Sequence, residues 1–148
     1  MRRWLSVLGI LAIVLLVAPF VQAANMACTT SVVGSKIAKI TYTILSDDAA
    51  GTATCTISGI EGYVMRVVVV PNVGGTQPTN AWDFTLSDGQ VDILGGRGTD
   101  MSNAANTNIL PYTGIDAFPP AVSGTLAISC TNMGNAKTAV VYVYFERP

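Results

Sequence analysis

From residue 24 onward, apolar positions recur every second residue and almost never at helical spacing. In "KIAKITYTIL", Ala38, Ile40, Tyr42 and Ile44 alternate with Lys39, Thr41 and Thr43. That is the period of a strand with one side buried. "SDDAAGT" supplies turn residues. "TATCTI" then alternates again, with Ala53, Cys55 and Ile57 on one side. "GYVMRVVVVPN" is dense in β-branched residues and predicts the strongest strand, ended by Pro71, which lacks the amide a ladder needs.

After the loop "NVGGTQPTN", "AWDFTL" sets Trp82, Phe84 and Leu86 against Asp83 and Thr85. "SDG" turns the chain and "QVDIL" returns, so the two predict a hairpin. The polar stretch "GGRGTDMSNAANTN" and the proline-containing "ILPYTGIDAFPP" follow, the latter expected to lie across a sheet edge or barrel end. "GTLAISCTN" places Leu126, Ile128 and Cys130 on one side, "MGNAK" turns, and "TAVVYVYFERP" closes the chain. Six to eight short strands at this spacing predict an all-β fold, a single antiparallel β-sandwich or jelly-roll-like domain.

Residues 1–23 read differently. Arg2 and Arg3 precede an uncharged apolar run that ends in Val21-Gln22-Ala23. This is the layout of a secretory signal peptide, with cleavage expected after Ala23. The run from Trp4 to Val21 is also just long enough to cross a bilayer, so an uncleaved membrane anchor is the competing reading. The domain expected to fold is residues 24–148, exported to the periplasm, cell surface or exterior, or else carried on a virion.

Composition narrows the chemistry. Without Arg2 and Arg3, six basic and nine acidic side chains remain, which gives no phosphate-binding surface and makes nucleic acid an unexpected partner. Charged residues are 11% of the chain, few for a free soluble protein, so neighbouring subunits are expected to cover part of the surface. The chain has no histidine, which removes Ser-His-Asp triads, Cys-His pairs and imidazole zinc sites. Its three cysteines are Cys28, Cys55 and Cys130. Cys55 and Cys130 both fall on apolar strand sides and form either a buried intersheet disulfide or two buried thiols. No cofactor is expected.

Three groups of residues invite a functional reading. "ILGGRGTD" (Ile93 to Asp100) begins like the calcium nonapeptide G-G-x-G-x-D. That motif needs a large apolar residue where Ser102 stands, and works by stacking about three or more repeats; one imperfect copy reads as a glycine turn at a strand exit. A lone calcium site would instead draw on Asp88, Asp92 and Asp100. Asp47 and Asp48 are adjacent in a turn and do not make a facing glycosidase pair. Tyr42, Tyr63, Trp82, Tyr142, Tyr144 and Phe145 read as core residues rather than a sugar-stacking platform.

The order of segments resembles small β-rich virion structural proteins of tailed bacteriophages. In those a "Y-D-V-T-L-x-D" strand leads into "D-V-L-x-G-x-G" and a closing hairpin "G-x-L-x-L-x-V-S-N-x-G" ends in "V-x-L-Y-I". Trp82 to Leu86, Asp92 to Gly96, Gly124 to Gly134 and Val140 to Phe145 stand at those elements. The resemblance spans roughly Ile37 to Phe145 and brings no catalytic residues. Coat components of tailed phages carry no export signal, so residues 1–23 depart from it; a membrane-associated virus or a host protein with a borrowed fold reconciles the two. The resemblance implies a non-enzymatic structural subunit of a virion or other surface assembly, partnered by copies of itself or other coat subunits. The alternative is a secreted, adhesin-like binding module for a glycan or protein, with its site on the loops Asn72 to Asn80 and Gly95 to Asn108. Either touches a membrane only through residues 1–23, if these are retained.

Overall fold

A computed structural model describes residues 29–47, 50–111 and 119–148. The expected signal or anchor segment, residues 1–23, and Cys28 lie outside the described residues. The fold is all-β. Its strands are β1 (Thr29–Val33), β2 (Ile37–Leu45), β3 (Ala53–Pro71), β4 (Asp83–Asp88), β5 (Val91–Asp92), β6 (Thr107–Ile109), β7 (Ala121–Thr131) and β8 (Thr138–Glu146). They pair antiparallel throughout, in the order β1-β2-β8-β3-β7-β4-β5, with β6 alongside β3. Among the described residues no helix is long and apolar enough to cross a membrane.

The two strands expected at Thr52–Ile57 and Gly62–Asn72 are one strand, β3. Its first half pairs with β7, from Ala53↔Cys130 to Tyr63↔Ala121. Its second half pairs with β8, from Tyr63↔Glu146 to Pro71↔Ala139. A short turn joins β7 to β8, so both ends of β3 lie at the same end of the sheet, and the strand doubles back near Gly62. A side chain at Gly62 would not fit: its Cβ would lie 2.1 Å from the Glu146 carbonyl oxygen, and φ is +146°. Each strand buries one side. Ala38, Ile40, Tyr42 and Ile44 of β2, Val141, Val143 and Phe145 of β8, Leu126, Ile128 and Cys130 of β7, and Phe84 and Leu86 of β4 form a single cluster with Trp82. β3 turns its apolar residues toward this same cluster along its whole length.

Two bulges make this possible. Ladder register slips once between Ser58 and Ile60 and again between Val64 and Arg66. The buried set on β3 therefore changes phase twice: Ala53 and Cys55, then Ile60 and Val64, then Val67, Val69 and Pro71. A strand of this length without the slips would turn half of its apolar residues to solvent. Gly59, the extra residue at the first slip, has φ +74°, a conformation that glycine adopts without cost.

The β4–β5 hairpin forms with a two-residue connection, Gly89 and Gln90. Gly89 has φ +59°, as the first position of a primed turn requires. The return strand is shorter than the sequence predicts. It stops at Asp92 because the Asp92 carboxylate accepts the amides of Leu94 (3.1 Å) and Gly96 (2.9 Å) and bends the chain there. β1 and β6 were not anticipated; each is five residues or fewer and carries little alternation.

One buried hydroxyl ties the β2 end to the β7–β8 turn. Ser46 is fully buried. Its Oγ donates to the Gly134 carbonyl at 2.6 Å and accepts the Lys137 amide at 2.8 Å. Replacing it leaves two backbone groups without these partners. Ser46→Ala is expected to cost about 1–3 kcal/mol in chemical denaturation with unchanged slope; a loss below about 0.5 kcal/mol would show that the staple contributes nothing.

Candidate functional site

The octet Ile93 to Asp100 is a turn whose polar groups serve the chain itself. Ile93 and Leu94 are buried beneath it. Gly95 and Gly96 have φ +60° and +77°. The Gly98 carbonyl accepts the Phe84 amide at 2.7 Å, and a Cβ on Gly98 would lie 1.9 Å from the Phe84 carbonyl oxygen. The glycines thus give direction and close approach. Asp92 holds the turn, and the Asp100 amide donates to Asp83 Oδ1 at 3.1 Å. Asp88, Asp92 and Asp100 do not converge: Asp88 and Asp92 flank the hairpin tip, while Asp100 sits beside Asp83 at the other end of β4. Those ends are roughly 16 Å apart at the usual strand rise. Among the described residues no group of three metal-ligating side chains forms.

Asp47 also works locally. Its carboxylate accepts the Ala50 amide at 2.7 Å and the Thr52 hydroxyl at 3.0 Å. The Ala50 amide, foremost, holds its pKa below the ordinary carboxylate value. Asp48 lies outside the described residues.

The six aromatics divide. Tyr42, Trp82 and Phe145 are buried. Trp82 Nε1 donates to the Ser102 carbonyl at 3.3 Å, whereas the Tyr42 hydroxyl has no partner among the described residues, and burial pushes its pKa upward. Tyr142 and Tyr144 are half-buried on the opposite side of β8, and Tyr63 is exposed. Lys39 Nζ lies 5.0 Å from the Tyr142 ring centre and the Arg66 guanidinium 5.5 Å from that of Tyr144. Arg66 Nε also donates to Asn108 Oδ1 at 2.8 Å. Lys39 and Arg66 both pair with Tyr144 in the ladder, from β2 and β3 respectively. The result is a row, cation–aromatic–cation, across three strands. Ile37, Tyr63 and Met65 extend the same face, with relative exposures of 66%, 49% and 41%. Sequence reading missed this face because it followed the apolar phase of each strand. The signal lay in the other phase, where Lys39, Arg66, Tyr142 and Tyr144 alternate with core positions.

The loops expected to carry a binding site do meet. Gln77 Nε2 donates to the Asn103 carbonyl at 2.7 Å, and Trp82 bridges to Met101. They close one end of the sheet around buried Met101 and Met133.

The cysteines are paired otherwise than a Cys55–Cys130 bridge. Cys130 is a free, buried thiol. Burial pushes its pKa up to about 12, so it stays protonated and unreactive. Cys55 is disulfide-bonded, to a sulfur outside the described residues. The ladder explains why Cys130 is not its partner. Cys55 faces Ile128 and Cys130 faces Ala53 on adjacent strands, which makes the cysteines diagonal neighbours about 7–8 Å apart. A disulfide spans about 4.4–6.8 Å between α-carbons.

Compared with known proteins, the chain matches no family model, no curated protein and no solved structure. The site therefore rests on its geometry. Its sulfur chemistry is open to direct measurement. Unfolded without reductant, the chain should show one alkylatable thiol, at Cys130, and none while folded. Rapid labelling of Cys130 in the native protein would contradict its burial.

Proposed function

We propose that the protein is a non-enzymatic structural subunit of a virion or extracellular surface assembly, built as a β-sandwich whose outer sheet face meets neighbouring subunits. The sandwich reading rests on β3, which joins β7, β4 and β5 to β1, β2 and β8 and returns to the end where it started. One observation carries the role: a sheet face that exposes Ile37, Tyr63 and Met65 beside half-buried Val68, Val70, Val140, Tyr142 and Tyr144. Free domains seldom leave so contiguous an apolar and aromatic surface in water. The order of segments resembling tailed-phage virion proteins supports the same role. The signal-peptide layout of residues 1–23 in the sequence agrees with an assembly at a surface.

A second reading has its own observation. The loops Asn72 to Asn80 and Gly95 to Asn108 meet where Gln77 bonds the Asn103 carbonyl, the place a secreted binding module would use for a glycan or protein. Light scattering coupled to size exclusion separates the two. The assembly reading expects a mass that rises with concentration above that of one chain. A single-chain mass maintained at high concentration would overturn it and leave the binding module.

A further inference from the structure

Cys55 forms a disulfide, and the chain itself narrows what it joins. The cysteines are three, Cys28, Cys55 and Cys130. Cys130 is a free thiol, which leaves Cys28. The strand ladder points to the same residue by a separate route. Cys55 and Pro71 stand equally far from Tyr63, the residue at which β3 passes from the β7 ladder to the β8 ladder. The two ends of β3 therefore lie at one level. Pro71 pairs with Ala139, and Ala139 with Ile44. Thr43, beside Ile44, pairs with Thr29, the first residue of β1. The residue before Thr29 is Cys28, so its register position is that of Ile44. Ile44, Ala139 and Pro71 are buried, as Cys55 is, and the position belongs to the inward phase.

We infer that Cys28 and Cys55 form a disulfide, made after export, that fastens the start of β1 to the first half of β3. The inference goes beyond the assembly reading and does not depend on it. The two thiols give up two protons and two electrons to a disulfide-bearing oxidant of the exporting compartment, which leaves as a pair of thiols. β1 needs such a fastening. It has one ladder of five residue pairs, to β2, and Val33 at its far end is 64% exposed; a short strand paired on one side is held weakly. Three inter-strand steps, about 14 Å, separate β1 from the second half of β3, whereas a disulfide spans about 4.4–6.8 Å between α-carbons. The bridge thus sets the first half of β3 across from the β1–β2 edge, with the shared core cluster between them. With cleavage after Ala23, only residues 24–27 precede the bridge, so the new amino terminus stays tied to the core.

The test uses the full chain, expressed with residues 1–23 in an exporting host. Free thiols are blocked with iodoacetamide, and the protein is digested with trypsin without reductant. Cys55 then lies in residues 40–66, Cys130 in residues 98–137, and Cys28 in the amino-terminal peptide that ends at Lys36. Mass spectrometry should find 40–66 joined to the amino-terminal peptide, the two separating on reduction, and one alkyl group on 98–137. Peptide 40–66 joined to 98–137 or to a second copy of itself, or alkylated at Cys55, would overturn the inference. Denatured, unreduced protein should have the mass of one chain; a covalent dimer would put the bridge between copies and overturn it too. Cys28→Ser should lower the melting temperature by about 10 °C in the unaltered chain. In a Cys55→Ser background it should lower it by less than about 2 °C. An equal loss in both backgrounds would show that the two residues are not joined.

Discussion

An antiparallel sheet keeps one apolar side buried only while each strand holds its phase, and the conformation of β3 decides whether it can. Side chains alternate along a strand, so every added or lost residue exchanges the two sides. β3 has to reverse direction while keeping Cys55, Ile60, Val64, Val67 and Val69 turned inward. It does so by absorbing one extra residue on each flank of the reversal. Each of these apolar side chains contributes about 1.5–3 kcal/mol when buried, so losing the phase of half the strand would cost an amount comparable to the stability of a typical domain. The ladder around β7 and β8 depends on β3, because both strands take their register from it.

The polar groups are arranged around this constraint. Ser46 serves the corner where β2 meets the β7–β8 turn. Cys130 fills core space as a small apolar group. The Tyr42 hydroxyl is the exception, buried without a partner among the described residues; such a group costs about 1–3 kcal/mol. On the outer side, the same alternation that buries Val141, Val143 and Phe145 presents Tyr142 and Tyr144. Core and candidate docking face are two phases of one pattern.

Much of this was legible in the sequence. The buried sides of β2, β4 and β7 followed residue by residue from alternation, and the β4–β5 hairpin from Ser87-Asp88-Gly89; on β8 the expectation failed, because Tyr142 and Tyr144, read as core beside Phe145, lie on its outer side. The turn nature of Ile93 to Asp100 followed from its glycines. What sequence missed depends on contacts between distant residues. The unity of β3 was hidden because "SGIEG" reads as a turn; only pairing with Gly124 and Glu146 keeps it in the ladder. The choice between a Cys55–Cys130 bridge and two buried thiols rested on shared sidedness, which cannot reveal that the two residues are diagonal in adjacent strands. The cation–aromatic row needed the β2–β8–β3 order, since Lys39, Arg66 and Tyr144 are far apart along the chain.

The phase constraint can be tested by deleting Gly59, with Gly59→Ala as control. The substituted Cβ meets no atom within 4 Å, so the control loses only the left-handed preference, about 1–2 kcal/mol. Deletion removes the first bulge and turns Ala53 and Cys55 outward, or Ile60 and Val64. Chemical denaturation is expected to show a loss beyond about 4 kcal/mol, or no folded state at all. A deletion variant that unfolds cooperatively within about 1 kcal/mol of the control would contradict the account.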